Sequence, residues 1–195
     1  MKTKCLSAAP FRNYTFFCFF AIALLSASCM HRAPFDGEES AYIGTLAPSF
    51  ELTSTAGITY SSEEMRGKFT LIHIATTWCP FCNVEAPHLE QIYQQYKEQG
   101  VEVLIIDVKE SRELVQEKLV DNFQLSFPVL LDTEGTVAAS FAPPDVLPDL
   151  ARDEVMLASN LLIDPEGKIR FFSLLDTKAF DAELVQLKEV LHELL

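Results

Sequence analysis

Two cysteines two residues apart, Cys79 and Cys82, constrain this chain more than any other feature, because of what flanks them. Before them runs Phe69-Thr-Leu-Ile-His-Ile74, rich in β-branched and aromatic side chains and suited to a central strand. After them Leu89, Ile92, Tyr93 and Tyr96 recur at helical spacing up to Gly100, which predicts a helix from about Pro80 to Gln99, kinked at Pro87. A Cys-x-x-Cys at a strand-to-helix junction puts its first sulfur at the helix N-terminus, where unpaired N–H groups and the helix dipole favour a thiolate. The second sulfur, one turn along, is close enough to close a disulfide. Such a dithiol can cycle, with Cys79 attacking a substrate disulfide and Cys82 resolving the mixed disulfide. Two plainer uses of the pair compete. Structural zinc needs about four ligands, and the chain offers neither a second cysteine pair nor a His-x₃₋₅-His spacing. A purely structural disulfide is unusual at so short a spacing.

The rest of the body, from Tyr42 onward, reads as one globular domain without repeats. Phe50–Thr53 and Ile58–Tyr60 flank Ala56-Gly57 as a short hairpin. Val101–Val108 is nearly all apolar, as a parallel strand covered on both faces should be. Val115, Leu119 and Phe123 mark a second helix, and Phe127–Leu131, Asn160–Ile163 and Ile169–Leu174 further strands. Phe180, Leu184, Leu187, Leu191 and Leu194 alternate at four and three as a closing amphipathic helix. Strands alternating with helices imply an α/β fold with a mostly parallel sheet, the dithiol lying at the C-terminal end of its strand.

The N-terminus reads as a targeting segment. Lys2, Lys4 and Arg12 precede an apolar stretch from Phe16 to Leu25, then Ser26-Ala27-Ser28 and Cys29. The apolar run is about half of the ~20 residues needed to cross a bilayer, so residues 1–28 are expected to be a secretory signal and 29–41 a tether. Cys29 resembles the lipid-bearing cysteine of a lipobox, although Leu25 stands one place too early and Ser26 occupies the usual leucine position. The small Ser26 and Ser28 also suit an ordinary signal-peptidase cut that leaves a soluble exported protein. Cutting there removes three basic side chains and no acidic one, leaving only Cys79 and Cys82 in the body. With 15 Lys plus Arg against 28 Asp plus Glu, the net charge is −13, and no basic block is interleaved with aromatics, so a nucleic-acid partner is not expected.

Ile43-Gly-Thr-Leu-Ala-Pro-Ser-Phe50, Gly67-Lys68, Ala75-Thr-Thr-Trp-Cys-Pro-Phe-Cys82, Glu85-Ala-Pro87 and Leu162-Ile-Asp-Pro-Glu-Gly-Lys168 together resemble exported thioredoxin-like proteins of the TlpA/ResA redoxin type, related to the AhpC/TSA proteins. The resemblance implies a thioredoxin-like fold with a mixed central sheet flanked by helices over residues 42–195. It implies thiol–disulfide exchange without a cofactor, often reductive, on cell-envelope proteins, with a membrane electron donor upstream. The positions matching the family motif are Trp78, Cys79, Pro80 and Cys82. Two departures stand out. The family carries a cis-proline facing the dithiol, where counting back from Asp164 puts Ala158; and His73 occupies the place where thioredoxins have a buried acid.

His73 is expected either as a buried neutral histidine with a backbone partner or as the base that deprotonates Cys82. Glu85, one turn beyond Cys82, reads first as a solvated helix carboxylate and second as a proton carrier. Trp78 is expected to shield the disulfide and touch substrate, or simply to pack. His88 and His192 read as surface residues. Ala142–Leu157, with three prolines and several acids, is longer than family members call for at that point and reads as an insertion that covers the dithiol, selects a partner, or merely decorates the surface.

Two other functions remain open from sequence. Phe127-Pro-Val-Leu-Leu-Asp132 is also similar to peroxiredoxins, but Ile72 stands where their Pro-x-x-x-Thr motif needs proline, and Ala158 occupies the neighbourhood of their arginine. A copper-binding assembly factor of the same fold would need a distant third ligand, and no histidine lies between His88 and His192.

Overall fold

The structure is a computed structural model, and residues 41–195 are described. The signal, tether and Cys29 expectations lie outside the described residues. Seven strands form one mixed sheet: β1 (Glu51–Ser54), β2 (Thr59–Ser61), β3 (Phe69–Ala75), β4 (Val101–Val108), β5 (Val129–Asp132), β6 (Ser159–Ile163) and β7 (Ile169–Ser173). Their order is β2-β1-β5-β4-β3-β6-β7, with β3, β4 and β5 parallel and the outer neighbours antiparallel. Helices are α1 (Pro80–Tyr96), α2 (Arg112–Val115), α3 (Thr136–Phe141), α4 (Arg152–Val155) and α5 (Val185–Leu194). A 3₁₀ turn (Lys97–Gln99) ends the α1 segment, and a π-helical turn (Gln116–Asp121) extends α2.

Alternation along the central strands divides the core into two layers. Leu71 and Ala75 of β3 and Val101, Val103 and Ile105 of β4 face one layer, completed by Leu89 and Ile92 of α1 and Leu187 and Leu191 of α5. Ile72, Ile74, Leu104, Ile106 and Val108 face the other, with Ala138, Phe141 and Met156. The same alternation puts His73 and Asp107 on the α1 side of the sheet, two polar groups in an apolar layer.

The helix after the dithiol continues through Pro87 as one element. The closing helix starts later than its leucine spacing predicts. Leu184 has a left-handed backbone (φ 55°), so α5 begins at Val185, and Phe180 lies ahead of it, packed edge-on against Phe81 at 4.9 Å between centroids. Ala142–Leu157 is tied down by the Arg152 guanidinium, which donates to the carbonyls of Pro143 and Val146, and by Asp153, 2.7 Å from Lys109. Val155 and Met156 are buried, so the end of this insertion belongs to the core, whereas Leu147 and Leu150 stay exposed.

Candidate active site

The dithiol sits where β3 hands the chain to α1. Cys79 is the N-cap of α1, Pro80 is the first helical residue, where a missing N–H costs nothing, and the Cys82 N–H donates to Cys79 Sγ at 3.3 Å. The two cysteines are joined as a disulfide with Cα atoms 5.3 Å apart, and both are buried. When the bond is reduced, the Cys79 sulfur stays at the positive end of a 17-residue helix, which favours its thiolate.

The loop ahead of Cys79 is held from two directions. Glu110, just past β4, accepts from the Thr77 N–H at 2.5 Å and from Thr77 Oγ1 at 2.6 Å, while Asn83 Nδ2 donates to the Thr77 carbonyl at 3.0 Å. Trp78 is 67% exposed, which removes the packing reading and leaves its ring beside the disulfide facing solvent. Opposite, Ala158 lies in the same apolar layer as both cysteines, with φ 59° and its N–H donating to the Ile74 carbonyl at 2.8 Å. A left-handed alanine carries a cost of about 1 kcal/mol, held here by burial and that hydrogen bond.

The expectation of a solvated Glu85 is overturned. Glu85 is 3% exposed, lying under the segment between β7 and α5. Asn160 Nδ2 donates to its Oε1 at 3.1 Å, and burial pushes its carboxyl up to about 8, against the opposing pull of that hydrogen bond. A cleft of about 40 Å³ lined by Glu85, Ala158, Asn160, Phe180 and Asp181 opens beside it.

His73 is fully buried, as one reading held, and beside its backbone partner Ser159 it has a side-chain one: Nδ1 lies 2.9 Å from Asn160 Oδ1. Burial lowers its basicity to about 4, outweighing the bonds to Asn160 and to the Ser159 backbone. So weak a base is ill suited to take a proton from a thiol near neutral pH, and the reading of His73 as the acceptor from Cys82 gives way. Its Nδ1 is 3.6 Å from Glu85 Oε2, but a neutral ring beside a largely protonated carboxyl is no ion pair. His88 is half-buried and His192 exposed. Among the described residues no group of three or more His, Cys, Asp or Glu gathers to hold a metal ion.

Sequence reasoning missed Asn160, Asp107 and Glu110 as parts of this site. Asn160 was legible only as the start of a strand, yet the antiparallel register of β3 and β6 makes it the direct cross-strand partner of His73. A polar residue inside each of two apolar runs was the available signal.

The comparisons agree with this geometry. The AhpC/TSA family model matches residues 43–172. The chain is 34% identical over 140 residues to the thiol-disulfide oxidoreductase ResA of Bacillus subtilis, covering 72% of each chain, and 33% identical over 128 residues to ResA of Geobacillus kaustophilus, covering 66% and 67%. It is similar in fold to a secreted disulfide oxidoreductase of Mycobacterium tuberculosis, with TM-score 0.58 and 23% identity over 74% of this chain and 95% of that one. A helix-capped dithiol on a thioredoxin-like sheet thus comes with relatives of the same chemistry, and the chain belongs to the AhpC/TSA family as a thiol–disulfide oxidoreductase of the TlpA/ResA redoxin type.

Proposed function

We propose that this oxidoreductase is exported, anchored through a lipid on Cys29, and reduces disulfides of other cell-envelope proteins with electrons drawn from a membrane donor. The observation that carries the exchange reading is the dithiol at the head of α1 with a buried carboxyl, Glu85, one helical turn beyond Cys82, and the resemblance to ResA supports the reducing direction. The basic and apolar residues before Cys29 support export.

In the reducing direction the Cys79 thiolate attacks one sulfur of a substrate disulfide, forming a mixed disulfide and releasing the other substrate sulfur as a thiolate. Ionised Glu85 then takes the proton of the Cys82 thiol, and Cys82 attacks Cys79 Sγ. The Cys79–substrate bond breaks, the second substrate sulfur leaves as a thiolate, and both released thiolates take protons according to their own pKa values. Two electrons pass from the enzyme dithiol to the substrate, leaving the Cys79–Cys82 disulfide. When the donor reduces that disulfide again, protonated Glu85 returns its proton to the Cys82 thiolate. A carboxyl titrating at about 8 serves both directions near neutral pH. Pro80 shapes the helix start, and exposed Trp78 offers an apolar contact beside the sulfur under attack.

Equilibration of the Cys79/Cys82 pair with glutathione or dithiothreitol tests the direction. A potential near that of thioredoxin, roughly −270 mV, is expected; one near −120 mV would mark an oxidant and overturn the reductive reading. Cys82→Ser should trap mixed disulfides with envelope proteins, and the reduced protein should consume hydrogen peroxide no faster than a free dithiol. Rapid peroxide turnover would favour a peroxidase instead. Intact mass of the membrane-extracted protein checks the lipid on Cys29.

A further inference from the structure

Glu85, Asn160 and His73 form a line that the exchange reaction does not by itself require. Asn160 reaches Glu85 with its Nδ2 and faces His73 with its Oδ1, at 3.1 and 2.9 Å. All three residues are buried, and they come from three elements: α1, β6 and β3. With Nδ2 turned to Glu85, the amide presents its Oδ1 to the imidazole, an atom that can only accept, so Nδ1 must carry the ring's hydrogen. Among the described residues His73 Nε2 has no hydrogen-bond partner, and the Nδ1 contact to Asn160 Oδ1 is the ring's side-chain hydrogen bond, beside its bond to the Ser159 backbone. The geometry points to His73 and Asn160 as positioning residues: the imidazole Nδ1–H locks the Asn160 amide in the one orientation that presents an N–H to Glu85.

This rests on the reading of Glu85 as the proton carrier and says what regulates it. Without the lock the amide is free to turn over, presenting its oxygen to the carboxyl and favouring the protonated acid. The groups that bear on Glu85 are His73 from β3, Asn160 from β6, Asp181 from the segment ahead of α5, and the Cys79–Cys82 pair on its own helix; Asp176 lines the same cleft. Asp181 raises the Glu85 carboxyl and Asn160 alone is seen to lower it, so the orientation of one amide decides how far burial is offset.

The test uses the full-length oxidised chain in detergent, with ¹⁵N-labelled histidine and ¹³C-labelled glutamate side chains, followed by NMR against pH. In the wild type His73 should show a protonated Nδ1 and an unprotonated Nε2 down to pH 5. The opposite tautomer would mean the amide is turned the other way and would overturn the proposal without any variant. His73→Leu and Asn160→Leu should each raise the Glu85 midpoint by about one pH unit, the worth of one hydrogen bond to a charged group. The double variant should raise it no further, because the two act in series. His73→Asn, whose Nδ2 falls where the imidazole Nδ1 stood, should keep the wild-type midpoint. A folded His73→Leu protein with an unmoved Glu85 midpoint would show that the ring only fills space. Failure of the proton-carrier reading looks different: Glu85→Gln would then resolve mixed disulfides at the wild-type rate, whatever the midpoints do.

Discussion

Two buried carboxyls lie on the α1 side of the sheet, and they differ in what neighbours them. Glu85 meets Asn160 on β6, one strand to one side of β3; Asp107 pairs with Ala75 from β4, one strand to the other side. Burial raises both, but the Asn160 N–H pulls Glu85 back to about 8, whereas the Glu110 carboxylate pushes Asp107 further, to about 9. Both have a carboxylate neighbour that raises them, Asp181 for Glu85 and Glu110 for Asp107, but only Glu85 also has a donor that pulls it back. In the proposed cycle Glu85 exchanges its proton with Cys82 near neutral pH, while Asp107, on the strand that leads to Glu110, takes no part.

The largest expected effect is on stability. Folded Glu85 and Asp107 keep their protons to about pH 8 and about pH 9, whereas in the unfolded chain both ionise near pH 4. The folded state therefore binds more protons across that window, and stability falls as the pH rises through it. His73 acts oppositely: neutral in the fold down to about pH 4, it gives up stability as the pH falls below 6.5. Between pH 6.5 and 8 only the two carboxyls count, at about 1.4 kcal/mol per pH unit each, for a loss of about 4 kcal/mol in all. Urea denaturation of the oxidised protein at the two pH values checks this, with Glu85→Gln and Asp107→Asn each expected to remove about half the difference. A flat profile would mean that neither acid is held neutral.

On rate, the two should separate. Glu85→Gln should slow resolution of a preformed mixed disulfide about 100-fold, the usual worth of a positioned base, whereas Asp107→Asn should change it by no more than about twofold. The wild-type rate of that step should rise with pH through about 8 as Glu85 ionises. Equal losses in both variants, measured by stopped-flow with a Cys79-linked aromatic thiol, would erase the proposed division of labour. The smallest effect belongs to Glu110→Gln. It weakens the two bonds to Thr77, at about 1–2 kcal/mol, and lowers the Asp107 carboxyl by removing its neighbouring charge. The pH at which stability stops falling should then move down.

The central strands were legible in the sequence because burial on both faces leaves a continuous apolar run; Val101–Val108 is strand β4 from end to end. The dithiol was legible from spacing alone. Glu85 was misread because a glutamate on a helix is exposed by default, and its burial depends on β6 and on the segment ahead of α5, which lie 75 or more residues further along the chain. Phe180 was assigned to the closing helix because it continues the leucine spacing, but the left-handed Leu184 interrupts that helix and frees Phe180 for Phe81. Periodicity records which residues are apolar and not where the backbone breaks.

Ala158 also limits how this chain can change. At φ 59°, and with its N–H given to Ile74, the position excludes proline on two counts, since proline fixes φ near −65° and carries no N–H. A single Ala158→Pro step therefore passes through a misfit loop beside the dithiol. Accepting proline there takes a rebuilt backbone from Met156 to Ser159 first, so the residue and the shape of its loop can only change together.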